Sequence, residues 1–128
     1  MNIGFIGAPV TGGPPGAAAE TLTSMAGDNS TAFERARPLI ELYSERVVHF
    51  GNPGSGNRAK LIRNFITMGH VALIVEAMRR CDRVGIDRGK MFEVLSNGGA
   101  NSNTTHKMVP DALSGSYDGY KFTQENAV

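Results

Sequence analysis

Hydrophobic and polar positions change their spacing along this chain, and the changes divide it into two parts. Residues 2–6 hold Ile3, Phe5 and Ile6 in a short run that Gly7 ends. Residues 21–26 (TLTSMA) alternate, and residues 46–50 (RVVHF) carry β-branched side chains up to Gly51. All three segments predict strands. Between the second and third, Phe33, Ala36, Ile40 and Tyr43 fall three or four apart, which predicts an amphipathic helix over residues 31–44. Thr31-x-x-Glu34 fits a capping box at its start, and Pro38 predicts a kink or a late start. The first fifty residues therefore read β, turn, β, α, β. After Gly51-Asn52-Pro53-Gly54 the pattern is helical throughout. Ser55 is the expected N-cap and Gly85 the C′ stop of one long helix over residues 55–84. Asp87 is expected to cap a helix over residues 88–96, and a helical stretch broken by Pro110 follows over residues 103–113. There is no internal repeat or low-complexity tract.

Size and composition bound what these elements can build. A chain of 128 residues allows one compact core. Leu, Ile, Val and Phe supply 29 of those residues, just above the ~20% below which disorder is favoured. A helix of thirty residues is ~45 Å long, whereas a compact domain of this size is only ~36 Å across. Its middle is apolar nearly all round, and such a helix needs cover on more than one side. Self-association through the long helix is therefore expected. Thirteen basic and twelve acidic residues alternate in sign and leave a net charge of +1, which argues against nucleic acid or a membrane as the partner. The single Cys81 rules out an intrachain disulfide and any multi-cysteine metal site, and suits a reducing cytosol. His49, His70 and His106 lack metal-ligand spacing, so no metal is expected. The start has no basic leader and the longest strictly apolar run is residues 71–75, so neither a signal peptide nor a membrane span is expected, and the location is expected to be cytoplasmic.

Gly occurs 16 times, about twice the usual ~7%, and in clusters. Clusters at junctions imply tight turns and close backbone approach. In residues 7–16 (GAPVTGGPPG), the hydroxyl of Thr11 followed by Gly12 and Gly13 can present backbone N–H groups to an anion without side-chain obstruction. A plain Gly/Pro turn is the commoner meaning of such a stretch. The dinucleotide fingerprint G-x-G-x-x-G is not found here, because Pro9 stands two positions after Gly7. Further on, Lys60 and Asn64 are four apart near the start of the long helix, with Thr67 and Val71 continuing their face. A lysine there can serve as a proton donor with the amide as its positioner, since the positive end of the helix dipole disfavours its ammonium form. A solvated lysine and an exposed asparagine are the ordinary alternative.

Taken together, APVTGGPPGAAAETLTSMAGD, the helix and VVHFG that follow, and GSGNRAKLIRN resemble the middle portion of the β-hydroxyacid dehydrogenases. That family includes 3-hydroxyisobutyrate dehydrogenase, tartronate semialdehyde reductase and, more distantly, 6-phosphogluconate dehydrogenase. The resemblance implies an α/β fold, with residual Rossmann-type strands and a covering helix followed by a mostly α-helical part containing the one long helix. It implies a nucleotide-domain remnant over residues 1–53 and a truncated helical substrate and dimerisation domain over residues 54–128. It also implies an NAD(P)-dependent oxidoreductase interconverting a small 3-hydroxyacid with its semialdehyde or keto form. Lys60 would be the catalytic acid/base, Thr11, Gly12 and Gly13 would hold the substrate carboxylate, and Asn64 would orient the substrate. The family more often has Ser where this chain has Thr11. Here MNIGFIG runs directly into Ala8, where the family places its glycine fingerprint and several βα units in between, and residue 128 precedes the family's Lys-Asp-Leu helix. The expectation is a chain truncated internally and at its end, lacking most of the residues that hold NAD or NADP, and inactive by itself. The alternative is a non-catalytic dimerisation or carboxylate-binding module derived from such an enzyme.

Overall fold

The computed structural model describes residues 4–116. Its elements are β1 (Val10–Thr11), α1 (Gly13–Ala18), β2 (Leu22–Ala26), α2 (Ser30–Ile40), β3 (Ser44–His49), α3 (Ser55–Val84), α4 (Arg88–Leu95) and α5 (Asn103–Leu113). The α/β architecture is as expected, with one three-stranded sheet followed by helices. The chain forms two compact units, Met1–Phe65 and Ile66–Val128, that divide within α3.

In the first unit the sheet order is β1-β2-β3. β2 and β3 are parallel, and a parallel pair needs a crossover, which α2 supplies. α2 buries Phe33 and Ile40. β2 is the central strand and is buried over most of its length, with Ser24 Oγ hydrogen-bonded to Ser44 Oγ at 2.7 Å. β1 is antiparallel to β2, pairing Val10 with Ser24 and Thr11 with Thr23.

The strand expected over residues 2–6 is not where the edge forms. Residues 4–6 carry no strand, Phe5 is 82% exposed, and residues 2–3 lie outside the described residues. The neighbouring Gly/Pro-rich segment takes the edge instead. Pro9 has no N–H to donate, but an edge strand needs only its carbonyl, which accepts from Met25 N at 2.9 Å. Gly7 O likewise accepts from Gly27 N at 2.8 Å.

Helix ends also differ in detail. α2 is capped by Asn29, whose side chain accepts from Ala32 N at 2.9 Å, rather than by a Thr31 box. Pro38 is accommodated because it lies in the last turn, where a missing N–H costs one bond. α3 begins with Ser55 already helical. Gly54 O accepts from Arg58 N, and Ser55 Oγ is buried with no hydrogen-bond partner among the described residues. The expected stop holds: Gly85 has φ of 72°, and Ile86 N donates to Cys81 O at 2.9 Å, closing a Schellman turn. Asp87 caps α4 by accepting from Lys90 N, as expected.

In the second unit α4 and α5 pack together. α5 is continuous through Pro110, contrary to the break expected. Buried Thr105 and Val109 anchor it while the proline ring faces outward.

On α3, one side runs through Lys60, Asn64, Thr67, Val71, Ile74, Met78 and Cys81, spaced four and three, and every residue on it is half-buried or buried. Ile62, Ile66 and Leu73 on another side are exposed. α3 contains an 18-residue stretch of mean hydropathy 1.3, so by length and composition it meets the test for crossing a bilayer, a test that core helices of soluble proteins also pass.

Candidate active site

The first unit brings β1 and the start of α3 together by a contact between glycines. Gly27 follows β2 and Gly56 lies in the first turn of α3. A Cβ on Gly56 would overlap the Met25 carbonyl oxygen, and one on Gly27 would overlap Gly56 N and the Ser55 side chain. The helix start therefore rests directly on the backbone at the end of β2, an approach that side chains would prevent. Asn57 sits beside Gly7, 3.6 Å from where its Cβ would be. With α3 fixed this way, its second turn lies next to β1.

Lys60 is on that turn. Its Nζ donates to Val10 O at 2.6 Å, although the two residues are fifty apart in sequence. The amine thus stands beside the residue preceding Thr11-Gly12-Gly13. Burial holds the Lys60 pKa below the ordinary lysine value of 10.5, and the nearby Arg63 guanidinium lowers it further. Both effects disfavour the ammonium form and so ease release of its proton.

Thr11 is half-buried on β1, and its hydroxyl has no hydrogen-bond partner among the described residues. Gly12 and Gly13 follow with φ of 134° and 65°, conformations that L side chains rarely adopt. Both are exposed. Asn64, one turn beyond Lys60 on the same face, is half-buried and its amide also has no partner among the described residues. The result is an amine of lowered pKa, a hydroxyl, an amide and a glycine turn on two neighbouring elements.

Sequence reasoning missed Gly27 as the seat of α3. The glycine cluster around Gly56 signalled a close approach but not its partner. It also missed His49, whose ring stacks on Phe33 at 4.2 Å and whose Nε2 lies 2.7 Å from Asp28 O, a structural role in the β-α-β unit.

The glycine turn after β1 does not fit a dinucleotide pyrophosphate: α1, the helix that opens there, is six residues long with Pro14 and Pro15 in its first turn. Neither proline has an N–H to offer a phosphate.

Comparison with known proteins is specific. A family model described as the NAD-binding domain of NADP-dependent 3-hydroxyisobutyrate dehydrogenase matches residues 54–124. A second, described as the NAD binding domain of 6-phosphogluconate dehydrogenase, matches residues 1–51. A probable 3-hydroxyisobutyrate dehydrogenase of Mycobacterium tuberculosis is 33% identical over 103 residues, which are 80% of this chain and 35% of that protein. An L-threonate dehydrogenase of Escherichia coli is 34% identical over 118 residues, covering 91% and 39%. Among solved structures, a 3-hydroxyisobutyrate dehydrogenase from Salmonella typhimurium matches with a TM-score of 0.78 at 30% identity, over 88% of this chain and 40% of that one. The Mycobacterium tuberculosis enzyme with L-serine matches with a TM-score of 0.72 at 33% identity, over 82% and 36%. A solved complex with NADP+ and 2-OPP matches with a TM-score of 0.75 at 28% identity, over 87% and 39%. This chain spans well under half the length of these relatives. The family they represent uses NAD(P) as its cofactor, and with one family model covering more than half of its residues, this chain belongs to the β-hydroxyacid dehydrogenases.

Proposed function

We propose that this chain carries the carboxylate-binding and proton-transfer part of a 3-hydroxyacid dehydrogenase site. The observation that supports this most directly is the Lys60 Nζ contact with Val10 O at 2.6 Å, which sets the amine at the entrance to Thr11-Gly12-Gly13. A small 3-hydroxyacid would place its carboxylate against the Thr11 hydroxyl and the exposed Gly12-Gly13 backbone. Its hydroxyl oxygen would lie at Lys60 Nζ, with the Asn64 amide holding the chain between. In the oxidative direction Lys60 accepts the hydroxyl proton, and in the reductive direction it returns that proton to the carbonyl oxygen. The lowered pKa of Lys60 suits both halves of that exchange, because it brings the amine nearer to working pH. Hydride exchange with NAD(P) belongs to the family, and no residue described here is assigned to it.

Titration of L-serine and of 3-hydroxyisobutyrate into the purified chain tests the reading. Saturable binding of either is expected, weakened at least tenfold by Lys60→Met and by Thr11→Val. Absence of binding, or binding that neither substitution changes, would overturn the assignment. NADH and NADPH in the same calorimeter are expected to bind weakly or not at all, for want of the fingerprint turn. If turnover is nevertheless measured, Lys60→Met should lower kcat by ~10²–10⁴-fold.

A second reading, a self-associating module, is favoured by the exposed apolar side of α3. Ile62 is 64% and Leu73 69% exposed. Each such side chain left in water forgoes ~1.5–3 kcal/mol. A second copy of the chain, seated on this side, would recover it. The two readings are compatible, since Lys60 and Asn64 lie on a different side of the helix.

A further inference from the structure

The second unit contains a cavity of about 250 Å³ that the proposed chemistry does not use. It lies against the C-terminal half of α3 and one side of α5. Ile74 and Met78 of α3 and Met108 and Ala112 of α5 line it, with Val109, 1% exposed, among its walls. Among the described residues its apolar lining is aliphatic and thioether. Two guanidinium groups complete it, Arg79 from α3 and Arg88 from α4. Arg88 is held by Asp82, its Nε donating to Oδ1 at 2.6 Å and its Nη2 to Oδ2. Arg79 has no ion-pair or hydrogen-bond partner among the described residues. The lip of an apolar cavity thus carries Arg88, held by Asp82, and an Arg79 that has no partner among the described residues.

We infer that this cavity binds a small aliphatic carboxylate, its alkyl chain among Met78, Met108 and Ala112 and its carboxylate on Arg79. The chemistry follows from the lining. An apolar body is favoured by an aliphatic wall, and an anionic head by a guanidinium at its mouth with no partner among the described residues, which binds carboxylate through paired N–H donors. The volume lies below the ~300–1,000 Å³ of pockets for drug-sized ligands. At ~30 Å³ for each water-sized group, it accommodates a chain of about eight carbons. Two methionines supply the adaptable packing that chains of differing length require.

The site is distinct from the apolar side proposed for self-association. At ~100° per residue, Ile62, Ile66 and Leu73 lie roughly 80–160° around α3 from Ile74 and Met78, and none of the three lines the cavity. It is also distinct from the carboxylate site proposed above, because every lining residue belongs to the second unit.

Octanoate is the probe, titrated into the full chain and followed by methyl and amide NMR. Saturable shifts of the Met78 and Met108 methyl groups are expected, with Lys60→Met leaving them unchanged. Arg79→Gln should weaken octanoate at least fivefold while leaving 1-octanol unaffected, and Ala112→Phe should abolish both. Octyltrimethylammonium should bind more weakly than octanoate. The proposal is overturned if octanoate shifts only residues around Lys60, if the cation binds as well as the anion, or if Arg79→Gln has no effect. It is overturned equally if octanoate acts by dissociating an oligomer. The methyl shifts on the unsubstituted chain locate the ligand even if a variant fails to fold.

Discussion

Two glycines on α3 have opposite requirements. Gly56 touches the β2 backbone so closely that an added methyl group overlaps the Met25 carbonyl, whereas nothing lies within 4 Å of where a Cβ on Gly69 would sit. Gly56→Ala must displace backbone and should cost on the order of 3–5 kcal/mol. Gly69→Ala relieves only the entropy penalty of glycine in a helix and should stabilise by ~0.5–1 kcal/mol. Urea melts of the two variants decide it, and a mild effect at Gly56 would show that α3 is not seated as described. Lys60 makes a second prediction at this scale. Its folded pKa is below the ordinary value, so between the two values the unfolded chain binds more protons than the folded one. Stability attributable to Lys60 therefore rises with pH through that window, and below it the cost of burying the ammonium is present in full. Denaturation midpoints measured up to pH 10.5 should show this rise in the wild-type chain and lose it in Lys60→Met. Acylation of Lys60 by acetic anhydride should likewise have its midpoint below the ordinary lysine value.

Among the elements, the capping residues separate real helix starts from plausible ones. Asn29, Asp87 and Ser102 each accept a backbone N–H three residues on. Replacing any of them with Ala should cost ~0.5–2 kcal/mol. Thr31, exposed and already inside α2, should cost less than ~0.5 kcal/mol on the same change. Equal losses at Asn29 and Thr31 in thermal melts would restore the capping box. The prolines teach a related lesson. Pro38 and Pro110 each remove one hydrogen bond, and position in the helix, together with buried neighbours such as Val109, determines whether that loss breaks it.

For the whole molecule, the side of α3 around Ile66 gives the prediction. A dimer or larger assembly of the 13.6 kDa chain is expected in light scattering at low micromolar concentration. Ile66→Glu with Leu73→Glu should shift it to monomer, because two charges would be buried without partners. A wild-type chain that runs as a 13.6 kDa monomer with cooperative unfolding would remove self-association from the account.

Local pattern determined a good deal of this protein. The periodicity of residues 55–84 marked α3, the alternation of residues 21–26 marked β2, and Gly85 and Asp87 marked a stop and a start, because each of these signals acts within a few residues of itself. The spacing of Lys60 and Asn64 put them on one helix face for the same reason. What only the tertiary structure decided involves partners far apart in the chain. The apolar run at residues 2–6 resembles a strand, yet residues 4–6 carry none; β2 pairs with the segment that ends at Thr11, and Gly7 bridges Gly27 just after β2. Nothing near Lys60 in sequence indicates that its amine meets Val10 O, since that contact depends on α3 resting on Gly27. Backbone contact between two glycines leaves no hydrophobic or polar trace, and it is that contact which places the amine at the glycine turn.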